Sequence, residues 1–352
     1  MLKITSYIKS IKYILSVISF NEKKIDKLKF SDEHYIGLDN KDTIVRVFYN
    51  NKNTQSIIIF PGASPYAEKH PGIMMLGNAL CKAGYTVYLP RIPDLKNLDI
   101  NQSNIEWFAH CYKELVDNHI KSKHNVMIVG LSFGGAALLK ASQDSRMQNP
   151  KPKSILSYGT YYSMDSALDF FITGKITLDN KTYNIKPHEW GIIVMFYNFL
   201  DTIETKYNST KIKNILKNRI KDNFELVEQE IKTLNNKEAD FVNNIINGNI
   251  NDEIATLAKN IIQANKELLK TLSPINWAKD ITNKVFILHG ANDSMVPFTE
   301  SHFLNDALPN SEMLISFVYE HREISTDKGI LFKGKELLKM ISFFANYFRY
   351  NA

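Results

Sequence analysis

The segment that most constrains this chain is a serine set between glycines directly after an apolar run. Residues 125–129 predict a buried strand, and the pattern G-x-S-x-G follows at residues 130–134 with Ser132 at its centre. A sharp turn strains the serine backbone, and flanking glycines remove the Cβ clashes that would block it. The pattern predicts a strand–turn–helix that presents the Ser132 hydroxyl at a helix amino end, where negative charge is favoured. The alternative is a glycine-rich connection in which Ser132 only caps the helix.

A second apolar run, at residues 56–60, predicts another buried strand that ends at Pro61-Gly62-Ala63. An acyl-transfer site needs two N–H donors for its oxyanion. We expect the backbone of Phe133, directly after the serine, and that of Ala63 to supply them. An ordinary Pro-Gly turn is the alternative for this loop.

Two more predicted strands are followed by residues that can act with the serine. Residues 284–288 precede Asp293, and residues 313–318 precede His321. Histidine titrates near neutrality, so His321 can take and return the Ser132 proton while Asp293 holds the imidazole. The alternatives are an Asx-turn at Asp293 and a surface histidine at residue 321.

The order Ser132, Asp293, His321, each at a strand end, resembles the α/β-hydrolase superfamily. The stretch His289-Gly290-x-x-Asp293-x-x-Val296-Pro297 is similar to the acid loop of that superfamily. The resemblance covers roughly residues 44–165 and 271–350. It implies Ser132, Asp293 and His321 as a catalytic triad, with Ala63 and Phe133 at the oxyanion hole.

The chain departs from the superfamily pattern at two places. Pro61 stands where the superfamily often has a histidine, and Tyr319-Glu320 precede His321 where small residues are usual. Some members carry the acid after the preceding strand, so Asp165, which follows the predicted strand at 155–159, is the alternative to Asp293.

Alternating strands and helices predict an α/β fold, and the resemblance makes it an α/β-hydrolase fold: a mostly parallel sheet with helices on both faces. Residues 33–37 and 44–49 predict an antiparallel edge. We expect residues 31–165 and 271–352 to form the core and residues 166–270 a largely helical cap insertion. Within the cap, residues 187–191 with Phe196 and Tyr197 line the pocket or fill the core of the cap.

Residues 1–30 predict a basic amphipathic helix. They hold seven lysines against Glu22 and Asp26, which accounts for +5 of the net charge of +6. Three interpretations are open. The apolar residues of the helix pack on the body, the helix lies on an anionic membrane, or the segment is a secretion signal without a clear cleavage site. Those apolar residues are Leu2, Ile4, Ile8, Ile11, Ile14, Leu15 and Ile18.

The nearly neutral net charge of residues 31–352 argues against a nucleic-acid partner. Two cysteines and the lack of phosphate-loop and zinc-helix patterns predict no metal and no cofactor. We expect a cytoplasmic serine hydrolase, with peripheral membrane contact as an option, that cleaves a small-molecule or lipid carboxylic ester through an acyl-enzyme. The alternatives are an acyltransferase or thioesterase with the same triad and a non-catalytic hydrolase-like binding protein. The sequence leaves the oligomeric state open.

Overall fold

The computed structural model describes residues 2–50, 55–317 and 330–352. The strands are Ser31–Ile36 (β1), Asp42–Phe48 (β2), Ser56–Phe60 (β3), Thr86–Pro90 (β4), Val126–Leu131 (β5), Ile155–Tyr158 (β6), Lys175–Leu178 (β7), Lys181–Asn184 (β8), Val285–Gly290 (β9) and Ser311–Ser316 (β10). Eight of them form one sheet in the order β1-β2-β4-β3-β5-β6-β9-β10. β1 and β2 are antiparallel, and the strands from β4 to β10 in that order are parallel. The predicted mostly parallel sheet with an antiparallel edge is confirmed.

The helices of the described residues lie between and after these strands. They are Leu2–Ile18 (α1), Pro71–Lys82 (α2), Pro93–Lys96 (α3), Ser103–Asn118 (α4), Phe133–Ala141 (α5), Met164–Thr173 (α6), Glu189–Phe199 (α7), Ser209–Ile220 (α8), Phe224–Ile231 (α9), Asn236–Ile246 (α10), Asp252–Ala264 (α11), Lys266–Leu272 (α12), Phe298–Ala307 (α13) and Ile330–Tyr350 (α14).

The central strands are buried on both faces, which explains their continuous apolar sequences. In β3, Ile57 and Ile59 belong to the core under α2 and α14, whereas Ile58 and Phe60 belong to the core under α4 and α5. Successive side chains of a strand point to opposite faces, so one short run supplies both cores. The Phe60 ring lies 4.6 Å from that of Phe108 in α4. Helices therefore cover both faces of the sheet, as predicted.

Between β6 and β9 the chain forms α6 to α12 and the two-stranded hairpin β7–β8. This segment has aromatic packing of its own. The Phe241 ring stacks on Tyr207 at 4.1 Å and meets Phe196 edge-on at 5.8 Å. The helices agree with the sequence pattern, whereas the hairpin was not predicted. The proposed boundaries at residues 166 and 270 remain a prediction.

Helix α1 packs against α2 and α14, and Ile14 is the one predicted apolar residue on its buried side. Its buried side is formed by Ser6, Ser10, Tyr13, Ile14, Ser16 and Val17. The Tyr13 ring lies 4.3 Å from Phe344, and the Ser10 hydroxyl donates to the Ile341 carbonyl at 2.7 Å. Of the seven predicted apolar residues, Ile14 is buried and the other six are exposed. No helix among the described residues is long and apolar enough to cross a bilayer.

Candidate active site

Ser132 lies between β5 and α5 with φ 52° and ψ −127°. A positive φ is unusual for a residue with a Cβ, and it is the strained turn that the sequence pattern predicts. The Ser132 amide donates to the Tyr158 carbonyl at 2.8 Å, which ties the turn to the end of β6. Ser132 occupies the N-cap position of α5, but its side chain makes no capping hydrogen bond to that helix.

The turn depends on glycines because other backbone approaches it closely. A Cβ at Gly134 would lie 2.0 Å from the Pro61 carbonyl oxygen, and one at Gly135 would lie 1.7 Å from the Thr160 hydroxyl. That hydroxyl donates to the Ser132 carbonyl at 3.2 Å. Because neither glycine can carry a side chain without displacing its neighbour, the serine turn and the loop after β3 are in direct backbone contact.

The two predicted oxyanion donors lie on either side of this contact. Ala63 follows β3, and Phe133 is the first residue of α5; both line a cavity that Ser132 also lines. Within residues 2–50, 55–317 and 330–352, neither backbone amide donates a hydrogen bond to the protein. The neighbouring Ser64 amide, by contrast, donates to the Leu95 carbonyl at 3.0 Å. The two amides at the predicted positions thus differ from that of Ser64 in having no protein acceptor among the described residues.

Asp293 lies on the loop after β9 and is only 1% exposed. Its Oδ1 accepts from the amides of Met295 at 2.7 Å and Val296 at 2.9 Å. The Asx-turn anticipated for Asp293 is therefore present. These bonds also offset the cost of burying the carboxylate and fix its orientation. Met295 lines the cavities that Ser132 lines, so the acid loop reaches the serine cleft.

His289, at the end of β9, stabilises the acid loop and is not among the residues predicted from sequence. It is fully buried, with Nε2 2.8 Å from the Val296 carbonyl and 3.4 Å from Oδ2 of Asp293. Its Nδ1 lies 2.6 Å from the Ser301 hydroxyl. A carbonyl can only accept, so Nε2 donates to Val296, and Nδ1 pairs with the Ser301 hydroxyl. The short His-Gly before Asp293 is the only sequence signal for this role.

Asp165, the alternative acid, occupies the first turn of α6 and is exposed to solvent. Partial burial raises the pKa of its carboxyl, whereas Lys266 acts in the opposite direction. A catalytic acid that holds an imidazole needs a fixed, ionised carboxylate. Asp293, held by two loop amides, fits this requirement better than Asp165. The predicted base, His321, lies outside the described residues.

Ser132 stands where two cavities meet. One, of about 350 Å³, is lined by the loop after β3 and by polar residues of the insert, among them His188, Glu189, Arg219 and Asp222. The other, of about 100 Å³, is lined by apolar side chains such as Phe133, Tyr161 and Leu168. A group bound at the Ser132 hydroxyl would therefore lie between an apolar cavity and a cavity with polar lining residues.

The insert contributes Trp190 to the lining of both cavities. The Trp190 amide donates to Nδ1 of His188 at 3.1 Å. Phe196 and Tyr197 are buried instead: Phe196 contacts Phe241, and the Tyr197 hydroxyl donates to Asp99 at 3.2 Å. Of the aromatic residues considered from sequence, Trp190 lines the pocket and the other two pack in the interior.

Comparison with known proteins identifies the family. The BD-FAE family model matches residues 113–308. A search of curated proteins found no match. Among solved structures, the chain is similar to an acylaminoacyl peptidase from Pyrococcus horikoshii, with 13% identity, a TM-score of 0.50, and coverage of 92% of this chain and 42% of the peptidase.

Two further structures have the same likeness over nearly their whole length. An esterase from Pyrococcus furiosus is 13% identical, with a TM-score of 0.49 and coverage of 92% of this chain and 93% of the esterase. A serine hydrolase from Cycloclasticus zankles is 14% identical, with a TM-score of 0.46 and coverage of 90% and 98%. At this identity the likeness concerns the fold. The family match covers more than half of the chain, so the protein belongs to the BD-FAE family and has the fold of the α/β-hydrolase superfamily.

Proposed function

We propose that the protein is a serine hydrolase that cleaves a carboxylic ester through an acyl-enzyme. The observation that carries this proposal is the backbone of Ser132, with φ 52°, and its hydroxyl free of the helix cap at the meeting point of two cavities. A strained turn of this kind has a cost of about 1–3 kcal/mol, and functional sites are where such strain is retained.

In the proposed reaction, His321 removes the proton of the Ser132 hydroxyl as its oxygen attacks the ester carbonyl. The amides of Phe133 and Ala63 stabilise the oxyanion. His321 then protonates the departing alcohol, the carbonyl re-forms, and the acyl group stays on Ser132. Water repeats the same steps and releases the carboxylic acid. Asp293 orients the imidazole and stabilises its charged form.

The shape of the cleft supports a short apolar acyl group. The apolar cavity beside Ser132 holds about 100 Å³. A cavity of roughly 150 Å³ accommodates benzene, so this one suits an acyl chain of a few carbons. The larger cavity, whose lining includes His188, Glu189, Arg219 and Asp222, would accept the alcohol part of the ester. We therefore propose an ester with a short acyl chain and a polar leaving alcohol.

The test is turnover of short-chain aryl esters combined with fluorophosphonate labelling. Ser132→Ala should lose about 10⁴–10⁶ in kcat and all labelling at that position. Ser145→Ala, at an exposed serine outside the cleft, is the matched control and should behave like the wild type. An unlabelled Ser132 in folded protein would contradict the proposal and favour a binding protein. Transfer of the acyl group to an added alcohol or thiol in preference to water would favour an acyltransferase.

A further inference from the structure

The outer side of α1 carries an unusual row of large aliphatic side chains. Ile4, Ile8, Ile11, Leu15 and Ile18 follow one another at spacings of four, three, four and three residues. This spacing places them on one face of a helix. They are 69%, 49%, 42%, 59% and 50% exposed, respectively. Scattered apolar residues on a surface are normal, but five in line form a contiguous patch that calls for a partner. We call these five residues the outer row.

The outer row is not needed to attach α1 to the body. The helix is attached by other residues, with Ser6, Ser10, Tyr13 and Val17 buried against α2 and α14. The small serines let the helices approach closely, as the bond from the Ser10 hydroxyl to the Ile341 carbonyl shows. The outer row therefore points away from the body of the protein. Its orientation is fixed because the helix that carries it is anchored.

The charges around the outer row are almost all positive. Residues 1–30 contain seven lysines against Glu22 and Asp26. Lys3 and Lys12, on α1 itself, are exposed, as are the lysines at 23, 24, 27 and 29. An aliphatic face flanked by lysines matches the interface of an anionic bilayer, with its acyl boundary and negative headgroups. A second copy of the chain would instead bring two positively charged helices together.

A cavity with apolar walls adjoins the inner end of the outer row. It holds about 190 Å³ between α1 and α14 and is lined by Ile18, Leu337 and Tyr158, among others. Tyr158 also lines the open cleft of Ser132. Tyr158 is therefore a lining residue shared by the cavity at the end of the outer row and the cleft of Ser132.

We propose that α1 docks the protein on an anionic lipid surface through the outer row and its flanking lysines. This inference does not depend on the proposed ester hydrolysis, because it concerns binding alone. The helix would lie in the plane of the headgroups while its serine side remains packed on α14.

The experiment is co-sedimentation of the full chain with phosphatidylglycerol-containing vesicles and with pure phosphatidylcholine vesicles. The wild type should pellet with the anionic vesicles, less so at higher ionic strength, and remain in solution with the neutral ones. The variant Ile8→Ser/Ile11→Ser/Leu15→Ser should reduce the partition coefficient by at least about tenfold. Lys3→Glu/Lys12→Glu should weaken binding with the outer row intact.

Matched controls separate the outer row from general surface polarity. Leu226→Ser/Ile275→Ser replaces two aliphatic residues that are 41% and 52% exposed outside α1, and should bind vesicles like the wild type. Unchanged thermal unfolding of the triple variant shows that α1 is still attached. Equal binding by the triple variant, equal binding to neutral vesicles, or no vesicle binding would each overturn the proposal. So would a lipid-free dimer, detected by light scattering, that the triple variant converts to a monomer, since a second copy would then cover the outer row.

Discussion

Nε2 of His289 lies 3.4 Å from Oδ2 of Asp293, and both side chains are shielded from solvent. Oδ1 of the same carboxylate accepts from the amides of Met295 and Val296. Oδ1 is therefore held by amides of its own loop, and Oδ2 lies beside the imidazole at the end of β9. This arrangement fixes where any hydrogen-bond donor from outside the loop must approach it.

Asp293→Asn should separate the proposed catalytic role of Asp293 from its structural role. The asparagine oxygen can still accept the two loop amides, so we expect a small loss of stability. Turnover should fall by about 10³–10⁴ because an amide stabilises neither the orientation nor the charge of the base. Asp165→Asn is the matched control and should retain turnover within about threefold. The opposite ranking, measured as kcat on one ester, would assign the acid to Asp165.

Ser132→Gly should be more stable than Ser132→Ala. At φ 52° and ψ −127° a Cβ is strained at a cost of about 1–3 kcal/mol, and glycine removes that strain. The greater freedom of glycine in the unfolded chain opposes this gain by about 0.4–1 kcal/mol. The net difference in the free energy of unfolding, measured in urea, should therefore be about 1 kcal/mol in favour of Ser132→Gly.

The exposed Ser145 supplies the control pair, since its φ is not among the positive values. There the glycine variant should be the less stable of the two, by about 0.5–1 kcal/mol. If both positions gave the same order, strain at Ser132 would not explain the result.

Trp190→Ala should change which acyl chains are accepted. Trp190 lines both cavities beside Ser132, so removal of its side chain enlarges the space available to the acyl group. We expect kcat/KM for an octanoyl ester, relative to an acetyl ester, to rise by about tenfold or more. Phe224→Ala, at a ring that is 53% exposed in α9, should leave that ratio unchanged. A constant ratio in Trp190→Ala would place the acyl group elsewhere.

Glu300 should make stability depend on pH. Its carboxylate is 1% exposed and accepts from the amides of Tyr162 and Ser163 and the hydroxyl of Ser166, at 2.8, 2.8 and 2.7 Å. Burial raises the pKa of this carboxyl, and the hydrogen bonds only partly oppose that effect. Folding thus favours the protonated form, so its contribution is fully present below the ordinary glutamate pKa and is lost as pH rises through the raised value.

Glu300→Gln removes this titration. Urea unfolding at about pH 4 and about pH 8 should show the variant gaining stability relative to the wild type at the higher pH. Glu228→Gln, at an exposed position in α9, should show no such gain. If the stability of the wild type instead increases relative to that of Glu300→Gln as pH rises, the hydrogen bonds outweigh burial and the pKa of Glu300 is lowered.

The strands of the core were predictable because each is a short, continuous apolar run. The run at residues 56–60 coincides with β3, and the antiparallel edge was found within two residues at each end. Strand β10 ends at Ser316, two residues before its predicted end. The serine turn was predictable for a different reason, since only glycine tolerates the backbone contacts around it.

The packing of α1 was not predictable from its periodicity. The sequence shows an apolar stripe, and a stripe normally faces the core. Here the core side contains three serines and one tyrosine, whose fit against α14 depends on a partner more than 300 residues away in sequence. Hydrophobic periodicity measures apolarity along one helix and carries no information on such a partner.

The roles of His289 and Glu300 were also beyond the sequence. Each is a buried polar residue whose hydrogen-bond partners come from other elements. Ser301 is the partner of His289, and the residues directly before α6 are partners of Glu300. Burial and partners of this kind arise only once the elements have assembled.

The contact between Gly134 and the Pro61 carbonyl has a consequence for how this protein can change. A substituent at residue 134 would push the loop that carries Ala63 away from the serine, so the rim of the sheet tolerates little variation. The insert contacts that rim through side chains such as Trp190 and through the bond from the His188 amide to the Ser294 carbonyl at 3.0 Å. A change of substrate specificity should therefore require substitutions in the insert, while the contact between Gly134 and the Pro61 carbonyl stays the same.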